Sequence, residues 1–189
     1  MSHGLITSRI ARILVQEFET QSFQVLYGHG NKAVDPLDKL GKIRAYQGPY
    51  YKADTILADL DIAVVASSSS KVIALIEIEE TTIKPKVILG DALATLLGSA
   101  VRFQGKQDLY VGPWTTLIIM AYGPKREHRD RAAYLEQQIN QWKVTLSSTN
   151  AQIDNVVIDA FQDEHELEHN LKQNIGSAIE NFKQQLELG

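Results

Sequence analysis

Apolar residues at Ile6, Ile10, Ile13, Leu14 and Phe18 recur every three or four positions, the period of a helix with one face turned to a core. The chain is therefore expected to open with an amphipathic helix over 6–18, with Thr7 or Ser8 as its cap. Residues 23–27 form a short β-prone run. Beyond it Gly28, Gly30, Pro36, Gly41, Gly48 and Pro49 break any regular period as far as Tyr51, which predicts a long loop. Residues 55–66 and 71–80 read as two strands of a hairpin around Ser67-Ser68-Ser69-Ser70. Pro85 suits the first turn of a helix that carries Val87, Ile88, Ala92, Leu93, Leu96 and Leu97 towards Phe103, with Gly90 and Gly98 allowing close approach. Residues 115–122 (TTLIIMAY) and 155–161 (NVVIDAF) are strand-like. Between them lies a polar helix over 127–146, whose Ala133, Leu135, Ile139 and Trp142 are expected to face inward. A helix over 164–188 closes the chain on a stripe of Leu167, Leu171, Ile175, Ile179, Phe182 and Leu186.

An early antiparallel hairpin followed by strands alternating with helices predicts an α/β fold with a central mixed sheet covered by helices on both faces. With 189 residues, 44% hydrophobic and 22% charged, the chain is expected to form one domain over 1–189. No run approaches the roughly 18 apolar residues of a membrane helix, and Met1-Ser2-His3-Gly4 lacks the pattern of a secretory signal, so a cytoplasmic protein without a membrane partner is expected. The absence of cysteine removes thiolate metal sites and thiol nucleophiles, leaving carboxylate, carbonyl or imidazole ligands, which favour hard cations. A net charge of −4 gives no global attraction to nucleic acid, so phosphate contact has to come from local basic patches.

Five acids end the two hairpin strands: Asp59, Asp61, Glu77, Glu79 and Glu80. Side chains two apart share a face of a strand, so Asp59 goes with Asp61 and Glu77 with Glu79, while Glu80 points the other way. A loop centred on Ser69 sets Asp61 opposite Glu77 and Asp59 opposite Glu79. A strict four-residue loop with Ala66 opposite Lys71 separates the pairs to opposite faces, unless a bulge restores the register. Clustered carboxylates destabilise a sheet, and a divalent cation relieves them. The alternative is a solvated strand end paired with Lys71 or Lys84.

Asp61 on the hairpin, the strand Ile76-Glu77-Ile78-Glu79, the helix before them and the helix after them together resemble the PD-(D/E)XK nuclease superfamily, the restriction-endonuclease-like fold. The resemblance covers a core of roughly 6–122, with 125–189 as a helix–strand–helix elaboration. It implies that Asp61 takes the motif aspartate and Glu77 the first acid of the second half-motif, both binding Mg²⁺, with Mn²⁺ as an alternative. Glu79 occupies the place of the motif lysine, and Leu60 that of the motif proline. Lys84 or Lys86 is the implied source of the missing positive charge, with Lys86 assigned the catalytic place, and Glu17 on the first helix the implied accessory metal ligand. The implied activity is Mg²⁺-dependent hydrolysis of DNA phosphodiester bonds by a homodimer, as in a type II restriction enzyme or a related DNA-processing nuclease. The alternative is a catalytically inactive domain of the same fold that binds DNA or acts in protein assembly.

Basic residues offer candidate phosphate contacts at Lys125 and Arg126, with Arg129 and Arg131 beside them, and at Arg44 and Lys84. Interleaved acids such as Glu127 and Asp130 also fit a solvated helix face. Arg44, Lys52, Tyr46, Tyr50 and Tyr51 sit in the irregular region, where loops carry recognition. His165-Glu166-Leu167-Glu168-His169 is a formal HExxH match, but its polar surroundings favour an exposed helix start. Gly28-His29-Gly30 is not followed by the Lys and Ser/Thr of a phosphate loop.

Overall fold

The computed structural model describes residues 5–48, 51–146 and 153–187. Met1 to Gly4, Pro49, Tyr50 and Leu188, which figure in the sequence reading, lie outside them. Helices are α1 (Leu5–Phe18), α2 (Pro85–Leu96), α3 (Arg126–Leu146) and α4 (Glu164–Glu187). Strands are β1 (Phe23–Tyr27), β2 (Ile43–Tyr46), β3 (Ile56–Leu60), β4 (Ile62–Ala66), β5 (Val72–Thr82), β6 (Ala100–Phe103), β7 (Gln107–Leu109), β8 (Thr116–Tyr122) and β9 (Asn155–Phe161).

The expected mixed sheet is present, in the order β1-β4-β5-β8-β9. β1, β4 and β5 run as an antiparallel meander, and β8 and β9 add parallel to β5 after helical crossovers. Strands β4 and β8 are buried along both faces, which is why their sequences read as unbroken apolar runs rather than alternating ones. One face packs on α1 through Ile10, Ala11 and Leu14 and on α4 through Leu167, Leu171, Ile175 and Phe182. The other packs on α2 through Ile88, Ala92 and Leu96 and on α3 through Ala132, Leu135 and Ile139.

A second sheet, antiparallel in the order β3-β2-β6-β7, lies against this second face. It replaces two sequence expectations. Residues 55–66 are not one strand: β3 pairs with β2, whereas β4 pairs with β1 and β5, and the chain changes sheet at Asp61. The helix expected to reach Phe103 ends at Leu96, because Gly98 brings the chain so close to β2 that an added Cβ would stand 3.0 Å from Ala45 Cβ. From there Val101 and Phe103 turn inward and Arg102 outward, a strand period of two. The loop expected from Gly28 to Tyr51 contains β2, whose four residues are too few to stand out among the glycines.

Helical phase differs from expectation at three points. The buried stripe of α3 is His128, Ala132, Leu135 and Ile139, so Ala133 is exposed and Trp142 is 44% exposed. Leu186 lies at the exposed end of α4. Thr7 and Ser8 sit inside α1, and Glu80 does the capping: its Oε1 accepts hydrogen bonds from Thr7 N–H (3.1 Å) and Oγ1 (3.0 Å). Glu80 thus points to the α1 face, opposite to Glu77 and Glu79, as strand alternation requires.

The loop between β1 and β2 is pinned by a buried carboxylate. Asp35 accepts two hydrogen bonds from Arg12, at 2.8 and 3.0 Å, and one from Asn31 N–H at 2.6 Å. The Arg12 hydrogen bond holds the Asp35 carboxyl down at about 2, below its ordinary 3.8, while burial pushes the nearby Tyr27 phenol up to about 12. An acid with a lowered folded pKa stabilises the protein above its unfolded value and loses that contribution as pH falls through the folded one. Wild type is therefore expected to lose stability between pH 3.8 and about 2 by a step that Asp35→Asn lacks, read from melting temperatures across that range.

Candidate functional site

Asp61 stands where the chain leaves one sheet for the other, and its backbone and side chain are both fixed there. Its N–H donates to Ile76 O (3.1 Å), and its carbonyl accepts from Gly28 N–H (2.7 Å). The β4–β5 ladder would continue to Leu60, but Leu60 has crossed to pair with Ile43 in the second sheet. Asp61 Oδ2 fills the gap by accepting from Ile78 N–H at 2.8 Å in a buried bond. Asp61 is consequently buried, 8% exposed, with Oδ1 facing His29 Nε2.

The register decides whether the acids meet. Ile62 pairs with Ile76, Ala63 with Leu75 and Val64 with Ala74, whereas Val65 pairs with Val72 across a bulge between Val64 and Val65. Near the turn Ala66 N–H donates to Lys71 O (2.8 Å), the pairing of a strict four-residue loop. The bulge corrects that offset, so Asp61 lies opposite Glu77. Asp59 does not oppose Glu79, because β3 has left the sheet. Its carboxylate instead accepts from Arg44 Nε at 2.7 Å, with Lys42 Nζ 3.9 Å away.

Glu77 is half-buried beside Asp61, and burial first, then the charges of Asp61, Asp91 and Asp59, push its carboxyl well above the ordinary 4.5. Glu79 shares the face, and its Oε1 accepts from Thr81 N–H (2.8 Å) and Oγ1. Asp91 on α2 joins them; burial, then Glu79 and Asp61, raises its carboxyl. A cavity of about 310 Å³ is lined by His29, Asp59, Asp61, Glu77, Glu79 and Asp91 over an apolar floor that includes Ile119. His29 Nε2 is 3.2 Å from Asp61 Oδ1, and that hydrogen bond raises the imidazole against the lowering effect of burial.

Asp91 and His29 are the residues that the sequence reading missed. Asp91 follows Val87 by one helical turn, an acid on the stripe that α2 turns to the sheet, and that interruption was its signal. His29 was hidden in a Gly-His-Gly triplet weighed only as a phosphate loop.

The remaining candidates lie elsewhere. Glu17 belongs to α1 on the opposite face of the sheet and pairs with Lys172 Nζ at 3.1 Å, so it does not join the acids. Lys84 and Lys86 are exposed at the start of α2, and neither lines the cavity. Arg44 is tied to Asp59. Lys125 lies 3.8 Å from Glu127, and Arg126 is exposed at the first residue of α3. His165 and His169 are exposed on α4, and Glu166 is taken up by Arg129 (2.7 Å) and Gln162 N–H (2.9 Å), so the HExxH letters describe a solvated first turn. Tyr51 covers Tyr46 edge-on, ring centroids 5.3 Å apart, and lies against Arg102, so these aromatics cover the second sheet.

A cavity of about 590 Å³ lies on the α1 side, between Ile6, Arg9, Tyr122 and Phe161. Its charged groups are already engaged, Arg9 with Glu164 and Glu80 with Thr7. The acid cavity is therefore where unmet charge is concentrated. No protein-family model matches the chain, and no curated protein or solved structure is significantly similar to it.

Proposed function

We propose that the chain is a Mg²⁺-dependent endodeoxyribonuclease with a restriction-endonuclease-like core, in which Asp61 and Glu77 hold the cation. The observation that carries this reading is Glu77, a half-buried carboxyl that shares the cavity with Asp59, Asp61, Glu79 and Asp91. Buried like charges are costly unless protonated or neutralised by a cation. Further support comes from the order of elements: α1, the meander β1-β4-β5 with an acid at the mouth of its hairpin, α2, and β8 parallel to β5.

The donor set fits a hard cation, since every acid facing the cavity offers oxygen. Among the described residues no three acidic or imidazole side chains form a complete metal-ligand group. Mg²⁺ does not require one, because it keeps several waters and takes one or two carboxylates plus phosphate oxygens. The chemistry such a cation supplies when bound is Lewis-acid polarisation of the phosphate and neutralisation of its developing charge. Asp61, locked by Ile78 N–H, presents Oδ1 in a fixed position. Glu79 has Oε1 tied to Thr81, which leaves Oε2 to accept the proton of the attacking water.

A second reading, a non-cleaving domain of the same core that binds DNA or acts in assembly, is favoured by Glu79 in place of the motif lysine and by the pairing of Arg44 with Asp59. The two separate on incubating the purified chain with supercoiled plasmid and with duplex and single-stranded oligonucleotides in Mg²⁺, Mn²⁺ or EDTA. Cutting in either metal that stops in EDTA is the expected result. Intact substrates under all conditions would overturn the nuclease reading and leave the binding one.

A further inference from the structure

We propose that His29 contacts the substrate phosphate in this site: its Nε2–H, which meets Asp61 Oδ1 in this structure, turns to a non-bridging oxygen once Asp61 holds the cation, taking the place that a lysine at position 79 would fill. The assignment rests on the phosphodiesterase reading above. Three independent features of the molecule carry it.

The first is the composition of the cavity wall. Among the described residues lining it, Asp59, Asp61, Glu77, Glu79 and Asp91 are acids, and His29 is the one basic side chain. A phosphodiester entering such a wall meets repulsion from every charged group except a cation and this imidazole. Lys42 lines an adjoining cavity that shares His29, Asp59 and Asp61 with this one, and its Nζ lies 3.9 Å from Asp59.

The second is placement. Gly28 and Gly30 flank His29 where a side chain would crowd its neighbours. An added Cβ at Gly28 would stand 3.1 Å from Leu60 O, and one at Gly30 would stand 2.7 Å from Asp35 Oδ2 and 2.8 Å from Leu40 Cδ1. Gly28 N–H is bonded to Asp61 O, and the loop beyond is fixed by Asp35, by Tyr27 N–H to Lys39 O (2.9 Å) and by Gly41 N–H to Tyr27 O (2.9 Å). The imidazole is thus carried by a backbone anchored on both sides, which is what positioning a substrate requires.

The third is accessibility. The His29 side chain is 47% exposed while its Nε2 reaches Asp61 Oδ1. It lines the cavity beside the acids while remaining accessible to a phosphate oxygen from solvent. Ile78 N–H holds Asp61 Oδ2 whereas His29 faces Oδ1, so Asp61 stays anchored to the sheet when the imidazole turns to a phosphate.

The test compares wild type, His29→Ala and His29→Gln, the last keeping a side-chain donor. Cleavage of a duplex oligonucleotide is measured for kcat and KM, binding of the same fluorescein-labelled duplex by anisotropy in Ca²⁺, Mg²⁺ affinity by calorimetry, and melting temperature. His29→Ala is expected to lose at least about tenfold in kcat/KM and in duplex affinity, the size of a lost charge-assisted hydrogen bond. His29→Gln should recover part of it, with Mg²⁺ affinity and melting temperature at wild-type values throughout. Wild-type cleavage and binding in His29→Ala, or losses that follow Mg²⁺ affinity or melting temperature instead, would overturn the assignment. If wild type cuts nothing, the nuclease reading falls by itself. The His29 assignment then stands on duplex binding that His29→Ala weakens, and falls if wild type does not bind.

Discussion

Glu77→Gln is expected to abolish metal-dependent cleavage, by about 10³-fold or more, and to raise the melting temperature of the metal-free protein. The two effects have one cause. Glu77 is half-buried among Asp61, Asp91 and Asp59, and its carboxyl is pushed well above 4.5. A raised folded value for an acid means that the charged form costs stability, a cost that appears as pH rises through the ordinary value and is fully present above the folded one. Glutamine keeps the shape and removes the charge. The loss of activity follows because the several kcal/mol supplied by a held cation go with the ligand, and each 1.36 kcal/mol is tenfold in rate. A gain of about 1 kcal/mol would raise the melting temperature of a chain this long by roughly 2–4 °C. Melting curves in EDTA near neutral pH check the gain, and the gap should close near pH 4.5, where wild-type Glu77 is protonated as well.

Asp61 should behave differently, because it has two duties. Its Oδ2 takes the N–H of Ile78 in a buried hydrogen bond at the point where the ladder loses Leu60. Asp61→Ala leaves that N–H without a partner, a penalty of about 1–3 kcal/mol. A fall of roughly 2–12 °C in melting temperature follows, together with loss of cleavage. Asp61→Asn retains a side-chain oxygen for Ile78 and is expected to melt close to wild type while remaining inactive. Urea or thermal melts of the pair, run beside the plasmid assay, separate the structural bond from the functional one. Equal melting of Asp61→Ala and wild type would remove the ladder-capping role.

The main sheet could be read from the chain because its strands carry their own signal. NVVIDAF (155–161) and FQVLY (23–27) appear at the bounds expected from their apolar runs. The second sheet could not be read, and the reason is local. β2 and β6 have four residues each and β7 has three; β2 finds its partners β3 and β6 farther along the chain, while β7 pairs with the equally short β6 beside it. Short strands of that kind are fixed by tertiary pairing, with too few residues to establish a period. The break at Asp61 was hidden for a related reason: residues 55–66 alternate too little to show that Leu60 and Ile62 serve different sheets.

The site was legible in part. Strand alternation placed Glu77 and Glu79 together and Glu80 opposite, and the bulge condition on the hairpin register is met between Val64 and Val65. Asp59 was misplaced because the strand carrying it was taken as continuous. Glu17 and Lys86 were drawn from the family resemblance, and neither reaches the cavity. His29 and Asp91 come to the cavity from a loop and a helix, and no periodicity within one strand connects them to Asp61.

The central claim is that Asp61 and Glu77 form a divalent-cation site, and calorimetric titration of Mg²⁺ into wild type and Glu77→Gln, at a pH where Glu77 is ionised, tests it most directly. Saturable binding to wild type that disappears in Glu77→Gln is the predicted result. Heats that are the same for both proteins, or no saturable binding by wild type, would contradict it.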